Sequence, residues 1–386
     1  MSFAALPAVI VLLSISVASL LLFLYPYFIY PRVLRRLPPV ESAKNALAEG
    51  SSSSGSQFAL LFCAYNEAGS AMEKAANLTE LIERYPELLV FVYDDGSTDG
   101  CGDIYASVGA NVRVVRGPGR TGKAHGMKRL VMETDRPFLI FTDANVLIDD
   151  GVPDALLKHY ADERVGGVCG HLVYEGAEGT ATQAAGGRYW SIDEELKRLE
   201  SRTGSVMGGD GSIFSVRRIL YPDFPDTVQD DFTVTMSVLF GGYRLIYADD
   251  VVARERLVAK SAEEYRRKVR IAARAFHTHM VMRPRLHAMT AVDRWKYASH
   301  KVLRWWGGAF VLVSAVAGLL AVAFLNPLVA LAAILLAAFS LTVGARRIHA
   351  LATLREVLLA LTSTMHGLSL GARGRTFATW TPPKSR

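Results

Sequence analysis

The chain has 386 residues, of which 51% are hydrophobic and 21% charged, with a mean hydropathy of +0.20 and a formal net charge of +6. Residues 1–31 and 305–345 carry no charged side chain, whereas the stretch between them has ordinary soluble composition. This excludes a disordered chain, a purely soluble enzyme and a full polytopic transporter, and predicts a globular domain held between membrane segments.

Residues 4–30 form an apolar run of about 27 residues, roughly 40 Å as helix and enough to cross a ~30 Å hydrocarbon core. Tyr25, Tyr27, Phe28 and Tyr30 sit where an aromatic belt is expected, and Arg32, Arg35 and Arg36 follow directly. Basic residues after the run, with none before it, favour an anchor over a cleaved signal peptide and put residue 32 onward on the cytoplasmic side. The basic excess beside apolar runs suits an anionic membrane surface, and no nucleic-acid recognition motif accompanies it. Cys63, Cys101 and Cys169 form no CxxC pair and no zinc spacing, which fits a reducing compartment.

Residues 32–56 are read as a basic juxtamembrane segment and linker, ending in the flexible polar stretch SSSSGS at 51–56. Four short apolar runs follow, at 58–63, 88–93, 111–115 and 137–142. Helical spacing lies between them, at 67–85 and 122–133. Strands separated by helix-length segments predict an α/β domain with a mainly parallel sheet. Ligands in such sheets bind beyond the carboxyl ends of the strands. Three polar motifs fall there: Ala64-Tyr65-Asn66-Glu67, Asp94-Asp95-Gly96-Ser97-Thr98-Asp99-Gly100 and Thr142-Asp143-Ala144-Asn145. Each also has a plainer reading, with Asn66 as a helix cap and Asp99 as a turn cap. Further along come Gly122-Lys123-Ala124-His125-Gly126, Gly208-Gly209-Asp210-Gly211, Gln229-Asp230-Asp231-Phe232 at a helix start, and Arg267-Lys268-Val269-Arg270-Ile271.

In their order and spacing these motifs resemble the family 2 glycosyltransferases of GT-A fold, in the branch of membrane-bound bacterial enzymes that build surface polysaccharides or glycolipids. The resemblance covers about residues 57–310 and extends weakly to the tail ATWTPPKSR. It implies that Ala64, Tyr65, Asn66, Glu67 and one of Asp94 and Asp95 frame the nucleotide. Lys123 neutralises diphosphate charge, and Asp210 bonds sugar hydroxyls. Thr142-Asp143-Ala144-Asn145 stands at the DXD motif, so Asp143 and Asn145 are the candidate ligands of a divalent cation, Mg2+ or Mn2+, with Asn in place of the second acid. Asp231 is the implied catalytic base, its pKa raised by Asp230 through like-charge repulsion. Arg267 and Arg270 stand at the QxxRW motif and share a helix face for the pyrophosphate. Arg replaces Gln there and Ile271 replaces Trp, which argues against processive polymerisation.

Residues 293–306 mix Arg294, Lys296, Lys301 and Arg304 with Trp295, Tyr297, Trp305 and Trp306, as suits a helix lying in the membrane interface. Residues 307–345 are read as two spans broken at Asn326-Pro327, and residues 346–386 as an amphipathic or membrane segment with a basic tail ending in Arg373, Arg375, Lys384 and Arg386. That tail favours three spans over four. The GT-A domain is expected over 57–285 and the interfacial helix over 286–306. The expected partners are a nucleoside diphosphate sugar, first of all a UDP-sugar, a lipid-linked or membrane-proximal acceptor, and polysaccharide-assembly proteins. The expected location is the bacterial inner membrane, multi-pass, with the catalytic domain in the cytoplasm.

Overall fold

The central strand of the sheet has the sequence FALLFCA, apolar at every position. A strand covered on both faces needs such a run, because side chains alternate between the two faces. The computed structural model describes residues 5–41, 54–175, 181–256, 261–377 and 379. The elements run α1 (Ala5–Arg36), β1 (Phe58–Ala64), α2 (Ala68–Arg84), β2 (Leu89–Asp94), α3 (Cys101–Ala106), β3 (Val112–Arg116), α4 (Lys123–Met132), β4 (Phe138–Thr142), β5 (Val146–Ile148) and α5 (Val152–Tyr160). There follow β6 (Val165–Glu175), α6 (Ala181–Arg202), β7 (Ile213–Arg217), α7 (Asp230–Phe240), β8 (Arg244–Arg256), α8 (Ser261–Met282) and α9 (Ala291–Tyr297). A π turn (Ala298–Val302) leads into α10 (Leu303–Trp305), α11 (Gly307–Leu325), α12 (Pro327–Thr342) and α13 (His349–Ala372).

The sheet order is β3-β2-β1-β4-β7-β6-β8-β5. Phe58, Leu60 and Phe62 of β1 enter one core with Leu78 and Leu81 of α2, and Ala59 and Leu61 enter the other with Met127 and Leu130 of α4. Strands β1 to β4 are mutually parallel, as the sequence predicts, and so are β6 and β8. The exception that matters is β7, antiparallel to both β4 and β6. Thr142 at the end of β4 lies opposite Ile213 at the start of β7. The reversal therefore carries the loop before β7, with Gly208-Gly209-Asp210-Gly211, to the sheet edge where β4 ends in Asp143.

The polar stretch at 51–56 is ordered where it is described: Ser54–Gln57 is a 3-10 turn with Gly55 buried, and Ser54 Oγ donates to Asp154 at 2.6 Å. Residues 51–53 of that stretch lie outside the described residues, as do most of the tail ATWTPPKSR and its Lys384 and Arg386.

Among the described residues, three helical segments are long and apolar enough to cross a membrane, Leu6–Arg36, Gly307–Leu325 and Pro327–Arg346. They expose large apolar side chains such as Ile10, Leu328 and Leu336. Helices α1 and α11 meet at small residues, with Ser16 Oγ donating to Ser314 O at 2.9 Å, the packing expected where lipid rather than water surrounds the helices. Tyr30 and Leu34 at the end of α1 pack with Leu196 and Leu199 of α6. The segment read as an interfacial helix is partly embedded in protein: Lys296 and His300 are buried, and the Lys296 ammonium donates to Glu200 O at 3.1 Å and Thr203 O at 3.0 Å.

Helix α13 docks on α8. A Cβ placed on Gly367 would lie 2.5 Å from Val269 O, and one on Gly371 would lie 2.6 Å from Ala273 O. The two helices touch at backbone distance there, so bulk is not tolerated. Gly367→Leu is expected to destabilise the protein by about 1–3 kcal/mol through overpacking, seen as a lower Tm in detergent.

Candidate active site

Four loops meet beyond the carboxyl ends of the parallel strands. The centre of the meeting is Lys123, at the start of α4. Its Nζ donates to Asp143 Oδ1 at 2.6 Å and lies 3.8 Å from Asp230 Oδ2. A Cβ on Gly211 would lie 2.9 Å from Lys123 Nζ, 3.2 Å from Asp231 Oδ2 and 3.6 Å from Asp143 Oδ2. The absent side chain at Gly211 thus leaves a cradle onto which three polar side chains converge. Burial alone would lower the Lys123 pKa, but Asp143, Asp230 and Asp231 outweigh it and hold the group well above the ordinary lysine value.

Asp230 and Asp231 open α7 and both are buried. Burial, then the neighbouring Asp230 charge, push the Asp231 carboxyl up to about 7, against the opposing pull of Lys123 and Arg274. Asp231 Oδ1 accepts from the Phe232 N–H at 2.7 Å, which fixes the side chain on the first turn. A helix start favours negative charge, so capping accounts for the acids' place in the helix. It does not account for their burial beside a lysine from another loop.

The β2 acids point to opposite faces, as strand alternation requires. Asp94 Oδ1 accepts from Ser97 N at 2.8 Å, and its other oxygen abuts Gly102. Asp95 turns the other way and accepts from Thr121 N at 2.6 Å and Gly122 N at 3.0 Å. Asp95 therefore shapes the turn that delivers Lys123. Asn66 does not cap α2. It sits at φ 51° and accepts from Thr98 N at 2.8 Å, tying the loops after β1 and β2 together. The cap is Asp99, which takes Ala68 N of α2 at 2.7 Å and Cys101 N of α3 at 3.1 Å. Glu67 is buried and accepts from Ser70 Oγ. The Arg120 guanidinium lies 3.2 Å from the Tyr65 ring centroid and 3.6 Å from Asp95 Oδ2, so the loops after Ala64, Asp95 and Gly119 form one wall.

Asn145 and Asp143 diverge in their contacts. The Asn145 amide donates to Glu255 of β8 at 2.8 Å, while Asp143 holds Lys123. Asp210 accepts from Lys197 of α6 at 2.7 Å and from Ser212 N at 3.2 Å. Despite burial, Lys197 keeps its pKa below the usual carboxylate value. Arg267 is exposed and contributes, with Glu255, Asp210 and Lys197, to the charge around Tyr174. Arg270 is half-buried on the same helix.

The α8 arginine that reaches Asp230 is Arg274. It lies 4.0 Å from Asp230 Oδ1 and donates to Val228 O at 2.7 Å, and its buried Nε has no hydrogen-bond partner. In the sequence Arg274 is one member of a basic stripe. Its spacing of four from Arg270 and seven from Arg267 was the available signal, since residues so spaced share a helix face.

The sheet order, the antiparallel β7 and the acids at the strand ends define a GT-A fold with three apolar helices flanking the domain. Residues 60–223 match the family model for glycosyl transferase family 2, so the chain carries a glycosyl transferase family 2 domain. An N-acetylglucosaminyltransferase of Azorhizobium caulinodans is 28% identical over 227 residues, 54% of this chain and 57% of that protein. A poly-β-1,6-N-acetyl-D-glucosamine synthase of Staphylococcus epidermidis is 23% identical over 232 residues, 58% of this chain and 54% of that protein. The chain thus spans about half the length of these curated relatives. Among solved structures, the mannosyltransferase PcManGT from Pyrobaculum calidifontis, in complex with GDP-Man and Mn2+, has a TM-score of 0.67 at 21% identity, with 94% of this chain and 99% of that one covered. That likeness is one of fold, and it takes in the flanking helices.

The raised pKa of Asp231 has a consequence for stability. Below about pH 4 the group is protonated in both folded and unfolded chains and makes no difference. Between about pH 4 and 7 the unfolded chain gives up the proton while the folded one keeps it, so stability falls; above 7 the penalty is complete. Asp231→Asn is therefore expected to be more stable than wild type at pH 8, by a few kcal/mol at most, and equal to it at pH 4. Denaturant midpoints measured in chelator-treated buffer at the two pH values test this.

Proposed function

We propose that the chain is an inverting, metal-dependent glycosyltransferase. It moves a sugar from a nucleoside diphosphate sugar, with a UDP-sugar as the first choice, to a lipid-linked acceptor at the inner face of a bacterial cytoplasmic membrane. The product belongs to exopolysaccharide or glycolipid assembly. The observation that carries the reading is the convergence of Lys123, Asp143 and Asp231 on the Gly211 cradle.

In this reading Asp231 takes the proton of an acceptor hydroxyl as that oxygen attacks the anomeric carbon from the side opposite the leaving diphosphate. A base with a pKa of about 7 is matched to that task near neutral pH. The bond from the anomeric carbon to the diphosphate breaks, and negative charge grows on the leaving group. Lys123 and the orphaned Arg274 Nε are placed to receive that charge. Tyr65 and the loops ending in Asn66 and Asp95 hold the base and ribose. Asp210, backed by Lys197, orients sugar hydroxyls.

The donor set fits a hard divalent cation. Asp143 keeps Oδ2 toward the cradle while Oδ1 holds Lys123, and the Glu255 bond fixes the orientation of the Asn145 amide. Among the described residues no cluster of three or more His, Cys, Asp or Glu side chains could hold an ion by itself. One carboxylate, one amide oxygen and the donor's phosphates are a hard-oxygen set of the kind Mg2+ accepts. A bound Mg2+ or Mn2+ would neutralise diphosphate charge; the GDP-Man and Mn2+ in the complex of the Pyrobaculum structure support that assignment.

A second reading, a processive synthase, is favoured by the Staphylococcus relative's name. Ile271 in place of an acceptor-stacking Trp weighs against it. Product mass from one labelled donor separates the two.

Native membranes given radiolabelled nucleotide sugars are expected to yield a lipid-extractable glycoside. Asp231→Asn is expected to lower kcat about 10²–10⁴-fold while UDP still binds. Transfer by wild type should rise with pH through about 7, as Asp231 deprotonates, and this limb should vanish in the variant. Chelation is expected to abolish transfer and Mg2+ or Mn2+ to restore it. Full kcat in Asp231→Asn, or transfer unaffected by chelation, would remove the corresponding part of the mechanism.

A further inference from the structure

The helix before α11 brings one more cation to the cleft, and the donor chemistry does not use it. Lys301 lies in the π turn between α9 and α10. Such turns re-aim the side chains around them and occur often at functional positions. The Lys301 ammonium lies 5.7 Å from the ring centroid of Phe232, the residue after Asp231. Its Cε is 3.9 Å from the position a Gly208 Cβ would take. The charged groups around it are engaged with one another. Arg304 holds Asp193 at 2.8 Å, Lys197 holds Asp210 at 2.7 Å, and His300 holds Glu200 at 2.9 Å. Lys301 has the Phe232 ring and, among the described residues, no ion-pair or hydrogen-bond partner. Lys301 is half-buried, and a partly desolvated ammonium without an acceptor carries a desolvation cost that no partner offsets; burial lowers its pKa from the ordinary lysine value.

Two further facts narrow the ligand. Lys301 lies against Gly208, with its Cε 3.9 Å from the Cβ position there, whereas Lys123 lies against Gly211, with its Nζ 2.9 Å from the Cβ position there, so the two cations border opposite ends of one loop. An anion at Lys301 is read accordingly as separate from the donor diphosphate at Lys123. Lys301 also precedes the first residue of α11, Gly307, by six residues, about 9 Å of helical rise. Ser299, two residues earlier, meets Tyr25 of α1 at 3.3 Å. Tyr25 stands where an aromatic belt at the headgroup level is expected.

We propose that Lys301 receives a phosphate of the acceptor, so that the acceptor is a phosphate-linked lipid whose headgroup enters between the π turn and Gly208 while its tail remains against the apolar helices. The proposal rests on the glycosyltransferase reading and deepens it: one end of the acceptor is held at Lys301 while its reacting hydroxyl lies at Asp231, next to the Phe232 ring.

The test uses the full chain in phosphatidylcholine nanodiscs, with farnesyl diphosphate and the neutral farnesol as probes and calorimetry as the readout. Farnesyl diphosphate is expected to bind at least tenfold more tightly than farnesol, and to bind equally well with UDP saturating. Lys301→Met is expected to lose that tenfold preference and Lys301→Arg to keep most of it, both with UDP affinity unchanged. A preference that survives Lys301→Met, or a probe displaced by UDP, overturns the proposal. So does competition by phosphatidylglycerol as strong as farnesyl diphosphate's own binding, which would make the site a reader of bulk headgroups. Should Lys301→Met fail to fold, protection of Lys301 in the wild-type chain from amine acylation decides the point: protection by farnesyl diphosphate supports it and its absence overturns it. If farnesyl diphosphate binds through Lys301 while no nucleotide sugar is hydrolysed or transferred, the glycosyltransferase reading fails and the lipid-phosphate site stands.

Discussion

The structure depends on one electrostatic arrangement: a half-buried lysine ammonium set among three carboxylates that come from two other parts of the chain. Lys123 meets Asp143 from the end of β4 and Asp230 and Asp231 from the start of α7, over a glycine that keeps the space between them open. Removing the lysine would leave three acids in mutual repulsion, and removing the acids would leave a half-buried ammonium without a counter-charge. The same arrangement leaves Asp231 as the carboxyl whose proton is held near neutral pH, since burial and Asp230 together outweigh Lys123.

Everything around this centre positions it. Asp95 spends its oxygens on Thr121 and Gly122 and so aims Lys123. Asp99 caps two helices at once and Asn66 bridges two loops, so the wall of the cleft beside Tyr65 is one connected unit. On the other side Glu200 accepts from Tyr30 of α1 at 2.6 Å and from Met207 N at 3.1 Å, and pairs with His300 at 2.9 Å. A single carboxylate thereby joins the first apolar helix, the loop leading to Gly208–Gly211 and the helix before α11. The apolar helix α1 is thus wired into the loop that borders Asp231.

Much of this was legible in the sequence. Strands buried on both faces must be apolar throughout, so β1, β2 and β4 announce themselves, and polar residues at their ends stand out against them. The runs without charge announce the helices that can enter lipid. Other features were not legible, for reasons particular to each. Asn66 and Asp99 are both good capping residues, and only the path of the second loop decides that Asp99 caps α2. Asn145 is in the right register for a ligand, yet its amide is turned to Glu255, a residue more than a hundred positions away. Lys296, written as part of an amphipathic pattern, is buried because three backbone carbonyls from a distant loop receive it.

The sequence by itself determined the α/β alternation, the apolar helices and the acids at strand ends, because these rest on local periodicity and on the need to keep charge out of lipid and off buried strands. Tertiary structure alone decided that β7 runs antiparallel and so delivers Gly211 to the edge where Asp143 waits. It also decided that Arg274 is the arginine of its stripe that reaches Asp230, and that Lys301 lies against the Phe232 ring beside Gly208. These depend on which distant backbones approach one another, and a one-dimensional pattern of residue types carries no distance between elements far apart in the chain.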